Sequence, residues 1–153
     1  MITTDVQSQG KLNGYLTSLA DKLKKGEVAV GVPASSGSYD GISVVEVAAI
    51  NEFGTARIPE RSFLRVPLNQ SRDKLGKALE HAAKSMIDGK SDFTAMSQVG
   101  AMGAAICQEA ISNGIAPANK PSTIQKKGSS TPLIDTGNLR QSITYVVGGD
   151  NES

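Results

Sequence analysis

Few side chains in this sequence have the chemistry for catalysis or metal binding, and their spacing limits what they can do. The chain holds one histidine, His81, and one cysteine, Cys107. Zinc sites draw three or four ligands from Cys, His and carboxylates, so this pair does not supply the usual set. His81 lies beside Glu80 in a helical pattern and reads as a solvated or half-buried helix position. A nucleophilic thiol needs a histidine or a helix N-terminus to lower its pKa. Cys107 sits mid-helix among Ala and Ile with neither nearby, and reads as a small buried hydrophobe. The carboxylates Glu46 and Glu52 are six residues apart, which does not stack them on one helix face. Glu52 is expected instead to cap or contact a basic loop residue such as Arg57 or Arg61.

The sharpest chemical signal is Leu133-Ile134-Asp135-Thr136-Gly137, which looks like the catalytic loop of aspartic proteases. Those enzymes set two such aspartates face to face, sharing a proton, and a homodimer of a short chain would supply both. Only 16 residues follow Gly137, too few for the strands and flap such a subunit needs after its motif. The expected role is structural: Asp135 or Thr136 caps the turn starting at Asn138, and Gly137 supplies a permissive backbone angle. The sequence has no G-x-x-x-x-G-K-[ST], and GAMGAA at 100–105 lies inside a helical pattern, where it reads as a packing face. Lys120, Lys126 and Lys127 have no aromatic neighbour and so do not form a base-stacking platform. These residues point to no cofactor and no metal.

The elements that position these residues follow from periodicity. Leu12, Leu16, Leu19 and Leu23 recur at helical spacing over 11–25, after a polar, mobile stretch at 1–9. Lys22, Lys24 and Lys25 sit in the last turn, where the helix dipole favours cations, and Gly26 stops the helix. EVAVGV at 27–32 reads as a strand ended by Pro33, and 34–41 as a loop. Residues 42–53 carry both strand and helix patterns; Ser43 and Glu46, at capping-box spacing, favour a helix ending at Gly54. A loop covers 54–61. One helix is predicted from Ser62 to about Ile87, with Pro67 near its start, and another over 93–112, capped by Asp92. The second carries Met96, Val99, Ala104, Ile106 and Ile111 on or near one face, and its many Gly and Ala residues allow another backbone to approach closely. Residues 115–132 form a long polar loop or arm, of a length that is usually functional or disordered. A turn into a short helix follows, and 142–147 closes as a strand with Ile143, Tyr145 and Val147 alternating.

This layout is α+β: a small, mostly antiparallel sheet packed against several helices, including two longer ones in the middle of the chain. The 153 residues fit a single domain with a loose tail at 148–153. Two strands alone are marginal, so further strands are expected from 34–41 or from neighbouring subunits. Hydrophobic residues make up 39% and aromatics 4%, so the core rests mainly on Ala, Val, Ile and Leu. A formal net charge of +1 gives no overall field toward nucleic acid or membrane. The N-terminus lacks the basic and apolar regions of a signal peptide, and no run approaches the roughly 18 apolar residues that span a bilayer. A cytoplasmic site of synthesis is expected.

Two segments carry a family resemblance: VAAINEFGTARIPERSFLRVPL (47–68) and PSTIQKKGSSTPLIDTGNLRQSITYVV (121–147). Together, in order and at natural spacing, they resemble the signature blocks of tail-completion and neck (head–tail joining) proteins of tailed bacteriophages, which are related to phage virion-morphogenesis proteins. In that family an apolar helix ends in an Asn-Glu-Phe-Gly-Thr type turn, and an Ile-Pro-x-Arg-x-Phe block opens a long helix. A Thr-Ile-x-x-Lys-Gly loop then precedes Pro-Leu-Ile-Asp-Thr-Gly-x-Leu and a final strand. The resemblance covers about 50 residues closely and most of the chain by layout.

What it implies is a non-enzymatic subunit of the connector region, in a ring that is commonly hexameric. Its partners would be copies of itself and neighbouring neck, tail-tube or head-closure proteins, with no membrane and at most passive contact with DNA in the channel. It would be located in the virion and assembled in the host bacterial cytoplasm; a tail terminator or minor head-morphogenesis protein is the related alternative. On this reading Phe53 and Phe63 bracket the 54–61 loop, anchoring it in the core or against a neighbour, and Pro59 stiffens it. Arg57, Arg61 and Arg65 offer planar donors to a partner's carboxylates. Lys120, Lys126 and Lys127 belong to the arm.

Overall fold

The computed structural model describes residues 6–24, 26–39, 41–90, 94–118, 120, 121, 125 and 137–148. The elements run α1 (Val6–Lys24), β1 (Val28–Gly31), a 3-10 turn (Ala34–Ser36), β2 (Ser38–Tyr39), β3 (Ile42–Ser43) and α2 (Val44–Phe53). They continue with α3 (Arg65–Gln70), α4 (Arg72–Ile87), α5 (Thr94–Asn113), α6 (Asn138–Ser142) and β4 (Thr144–Val147). The fold is α+β, with helices packed on a small antiparallel sheet.

The first and last strands of the chain form that sheet, with Val28 opposite Val147, Ala29 opposite Val146, Val30 opposite Tyr145 and Gly31 opposite Thr144. α5 lies across it. A side chain at Gly100 would collide with the Tyr145 ring, and a Cβ at Gly103 would sit 2.9 Å from Val30 Cγ2. Gly100 and Gly103 therefore admit side chains of the sheet. The buried stripe of α5 runs Met96, Val99, Gly100, Gly103, Ala104, Cys107 and Ile111. Cys107 takes the core position and Ile106 is only half-buried.

Two apolar clusters form around α5. One gathers Val44, Ala48, Phe63, Ala104, Cys107, Ile111, Leu139 and Ile143; the other joins Ala82, Met86, Met96 and Val99 to Val28 and Val147. α2 begins where the capping-box spacing predicts, with the Ser43 N–H donating to Glu46 Oε2 at 3.3 Å, and it stops at Gly54. Beyond shifts of a residue or two at element ends, such as the last strand starting at Thr144, three elements differ from expectation. α1 starts at Val6, so residues 6–9 of the expected mobile segment are helical; they hold no proline, and glutamine is a good helix former. The expected helix over 62–87 breaks at Ser71 (φ −94°, ψ 12°) into α3 and α4, with Pro67 in the first turn of α3, where its missing N–H costs no helix bond. The 34–41 segment does supply a strand, but among the described residues β2 pairs with β3 and not with the main sheet.

Candidate functional site

The block from Asn51 to Val66 is organised around Glu52, which the chain buries to 3% exposure. An acid in the last turn of a helix faces the negative end of the dipole, so it is held there by something else. The Glu52 carboxylate accepts from Ser62 Oγ (2.7 Å), the Leu64 N–H (3.0 Å), the Arg65 N–H (3.1 Å) and Arg65 Nε (2.9 Å). Leu64 caps α3 and Arg65 opens it, so the carboxylate of one helix satisfies free N–H groups at the start of the next. Ser62 Oγ extends the arrangement by accepting from the Val66 N–H at 3.2 Å. Burial pushes the Glu52 carboxyl up, but the hydrogen bonds from Leu64, Ser62 and Arg65 outweigh it and hold the group below the ordinary carboxylate range.

Arg65 ties this buried centre to the surface. Its Nη2 donates to the Glu52 carbonyl at 3.1 Å and to Glu60 Oε1 at 2.8 Å. Its guanidinium carbon lies 4.8 Å from the centroid of the Phe53 ring. Between them the loop is bonded to itself. The Thr55 N–H donates to the Ile58 carbonyl at 2.8 Å, and Thr55 Oγ1 accepts from the N–H groups of Arg57 (3.3 Å) and Ile58 (3.0 Å). The Arg61 N–H closes the loop onto the Asn51 carbonyl at 2.7 Å. Gly54 sits at φ 70°, and a Cβ there would approach Glu60 N to 2.8 Å. Residues 55–60 are all exposed, so the result is an exposed loop bonded within itself.

The structure sorts the expected contact residues. Phe53 (65% exposed) lies at the end of α2, and Arg57 and Pro59 are exposed on the loop. Phe63 takes the core alternative: it is fully buried and unavailable to a neighbour. Arg61 does not face a partner as expected: it is buried and used within the chain, donating from Nε to the Pro117 carbonyl (2.8 Å) and from Nη2 to that of Ala118 (3.5 Å). It thereby fixes the start of the 115–132 segment. Arg65 is exposed but already engaged by two carboxylates. The basic partner of Glu52 is therefore Arg65, not Arg57 or Arg61. Lys120 is exposed; Lys126, Lys127, Asp135 and Thr136 lie outside the described residues. Gly137 does supply the left-handed backbone (φ 78°, ψ 0°) from which α6 starts.

Cys107 is fully buried, and its thiol is pushed up to about 11, first by burial and then by the negative charge of Glu52. His81 is exposed on α4. Among the described residues no group of three or more His, Cys, Asp and Glu is placed to hold a metal ion, and no helix is long and apolar enough to cross a membrane. No protein-family model, curated protein or solved structure matches this chain. What the arrangement offers is an exposed surface: an aromatic ring under a guanidinium, followed by a loop that exposes Arg57, Ile58 and Pro59.

Proposed function

We propose that this chain is a non-enzymatic structural subunit of the neck or tail of a tailed bacteriophage, a tail-completion or head–tail connector protein that closes into a ring through contacts between copies. The supporting observation is the Glu52 centre. It lies within the 47–68 block that carries the family resemblance, and it ties the end of α2 to the start of α3 across an exposed loop that is hydrogen-bonded within itself. Internal bonding of this kind lowers the ordering cost of docking. A loop so held presents Phe53, Arg57, Ile58 and Pro59 without waiting for a partner to fold it. A heterologous contact repeated with closure makes a ring.

Native mass spectrometry of the purified chain tests this, first alone and then mixed with unfinished tails and with DNA-filled heads. A hexamer of about 95 kDa from chains of 15.9 kDa, or a monomer that binds tails or heads, is the expected result. A stable dimer that ignores both particles would overturn the reading.

A further inference from the structure

The β1–β4 sheet has two strands among the described residues, and no described strand pairs with either of its outer edges. The ladder shows which backbone groups those edges present. The Gly148 N–H donates to the Glu27 carbonyl at 2.9 Å, one step beyond the Val28–Val147 pair. Hydrogen-bonded and non-hydrogen-bonded pairs alternate along an antiparallel ladder. Ala29 and Val146, and Gly31 and Thr144, therefore bond to each other. The N–H and C=O groups of Val28 and Val30 point out of one edge, and those of Tyr145 and Val147 out of the other. Ile143 has the same outward phase, and its carbonyl accepts from Gln108 Nε2 at 3.1 Å. No described hydrogen bond outside the ladder reaches the other four.

Nothing in the two strands protects these edges. Edge strands are ordinarily blunted by charges, proline or bulges. VAVG and TYVV contain no charged residue and no proline. The face turned away from α5 carries Ala29, Gly31, Thr144 and the half-exposed Val146, a flat shelf of small or apolar side chains. The two edges belong to different strands, and the strands already run antiparallel, so β1 of one copy beside β4 of the next continues the same alternation. With 16 basic and 15 acidic residues, copies carry little net charge to repel one another.

We infer that the occupant of these edges is a second copy of this chain: β1 of each subunit pairs with β4 of its neighbour, merging the two-stranded sheets into one continuous sheet. This rests on the ring reading above and names the contact that builds it. Because the paired edges are unlike, the contact is heterologous and propagates until it closes.

Residue-resolved amide hydrogen exchange on the full chain, assembled and then diluted to monomer, tests the contact. The amides of Val28, Val30, Tyr145 and Val147 should exchange at least tenfold more slowly in the assembly, while those of Ala29 and Val146 are slow in both states. Val28→Pro removes one outward donor at a strand's first residue, a place proline tolerates. Val146→Lys sets a charge on the shelf. Each variant should need at least tenfold more protein to assemble, and thermal melting of the dilute chain checks that it still folds. Assembly with fast edge amides, or assembly of Val146→Lys at the wild-type concentration, overturns the edge contact and leaves the ring reading standing. A two-fold dimer joined through β1 alone overturns it as well. A chain that stays monomeric and ignores tails and heads overturns both.

Discussion

The 51–66 block and α1 are opposite ways of making an ordered segment. α1 has the stronger sequence signal, with leucines at helical spacing from Leu12 to Leu23 in a helix of 19 residues. Yet Leu12, Tyr15 and Leu16 are each about half exposed or more, and of the other elements α1 packs chiefly against α4. The 51–66 block has little apolar periodicity, but hydrogen bonds fix it at nearly every step, and Phe63 anchors it in the core. Periodicity marks a face that can be buried; it does not supply the partner that buries it. A buried carboxylate with four donors specifies one geometry and leaves few others open.

Glu52→Ala should have the largest effect. It strands Ser62 Oγ and the N–H groups of Leu64 and Arg65 around an empty space, and removes the partner of the Arg65 guanidinium. Arg65 is half-exposed and keeps Glu60, so the cost is that of the stranded donors, about 1–3 kcal/mol for each buried one left without a partner. Urea unfolding should show the midpoint falling accordingly with an unchanged slope. A loss below about 1 kcal/mol would mean that the loop does not depend on its carboxylate.

Gly54→Ala should come next, at about 1–3 kcal/mol, because the position combines a positive φ with a Cβ pressed on backbone. Gly76→Ala is the control: that glycine lies exposed in α4 with open space around it. There the same change should stabilise by about 0.4–1 kcal/mol.

The pH dependence follows from the sign of the Glu52 shift. Its pKa is lower in the folded chain, because Leu64, Ser62 and Arg65 donate to the charged form. Above the ordinary carboxylate range its contribution to stability is complete. It declines as pH falls through that range and is gone below the folded pKa. Glu52→Gln should therefore flatten the acid limb of the stability profile and leave it parallel to wild type above neutrality. Denaturant midpoints measured from acid to neutral pH would show this, and an acid limb as steep as wild type would assign the slope to other carboxylates.

How much was legible in the sequence follows from where the information lies. Ser43 and Glu46 marked the start of α2, and the alternation of Ile143, Tyr145 and Val147 marked β4, because caps and period-two patterns are local. The break at Ser71 was not marked, since Leu64, Leu68, Leu75 and Leu79 keep a helical rhythm across it. Within the candidate site, the loop expected over 54–61 is present, with Arg57 and Pro59 exposed on it and Phe53 exposed at the end of α2. The partner of Glu52 and the inward turn of Arg61 depend on which residues the fold brings together over 13 and 56 positions, which spacing does not encode. One signal did exist: an acid at the C-terminal end of a helix is electrostatically misplaced and needs a reason to be there.

The smallest effect is expected in α1, and it bears on the contrast from the other side. Leu12→Ser and Leu16→Ser remove apolar groups that are already about half in water, at 56% and 49% exposure. Surface changes of this kind alter folding stability by about 0.5 kcal/mol or less. Thermal melting of the dilute chain should thus barely register either variant, and their sum should be no larger. If both variants instead lower the melting point as far as Gly54→Ala does, the leucine stripe has a partner in the folded chain. The two regions would then differ in the kind of interaction that orders them, not in how firmly they are held.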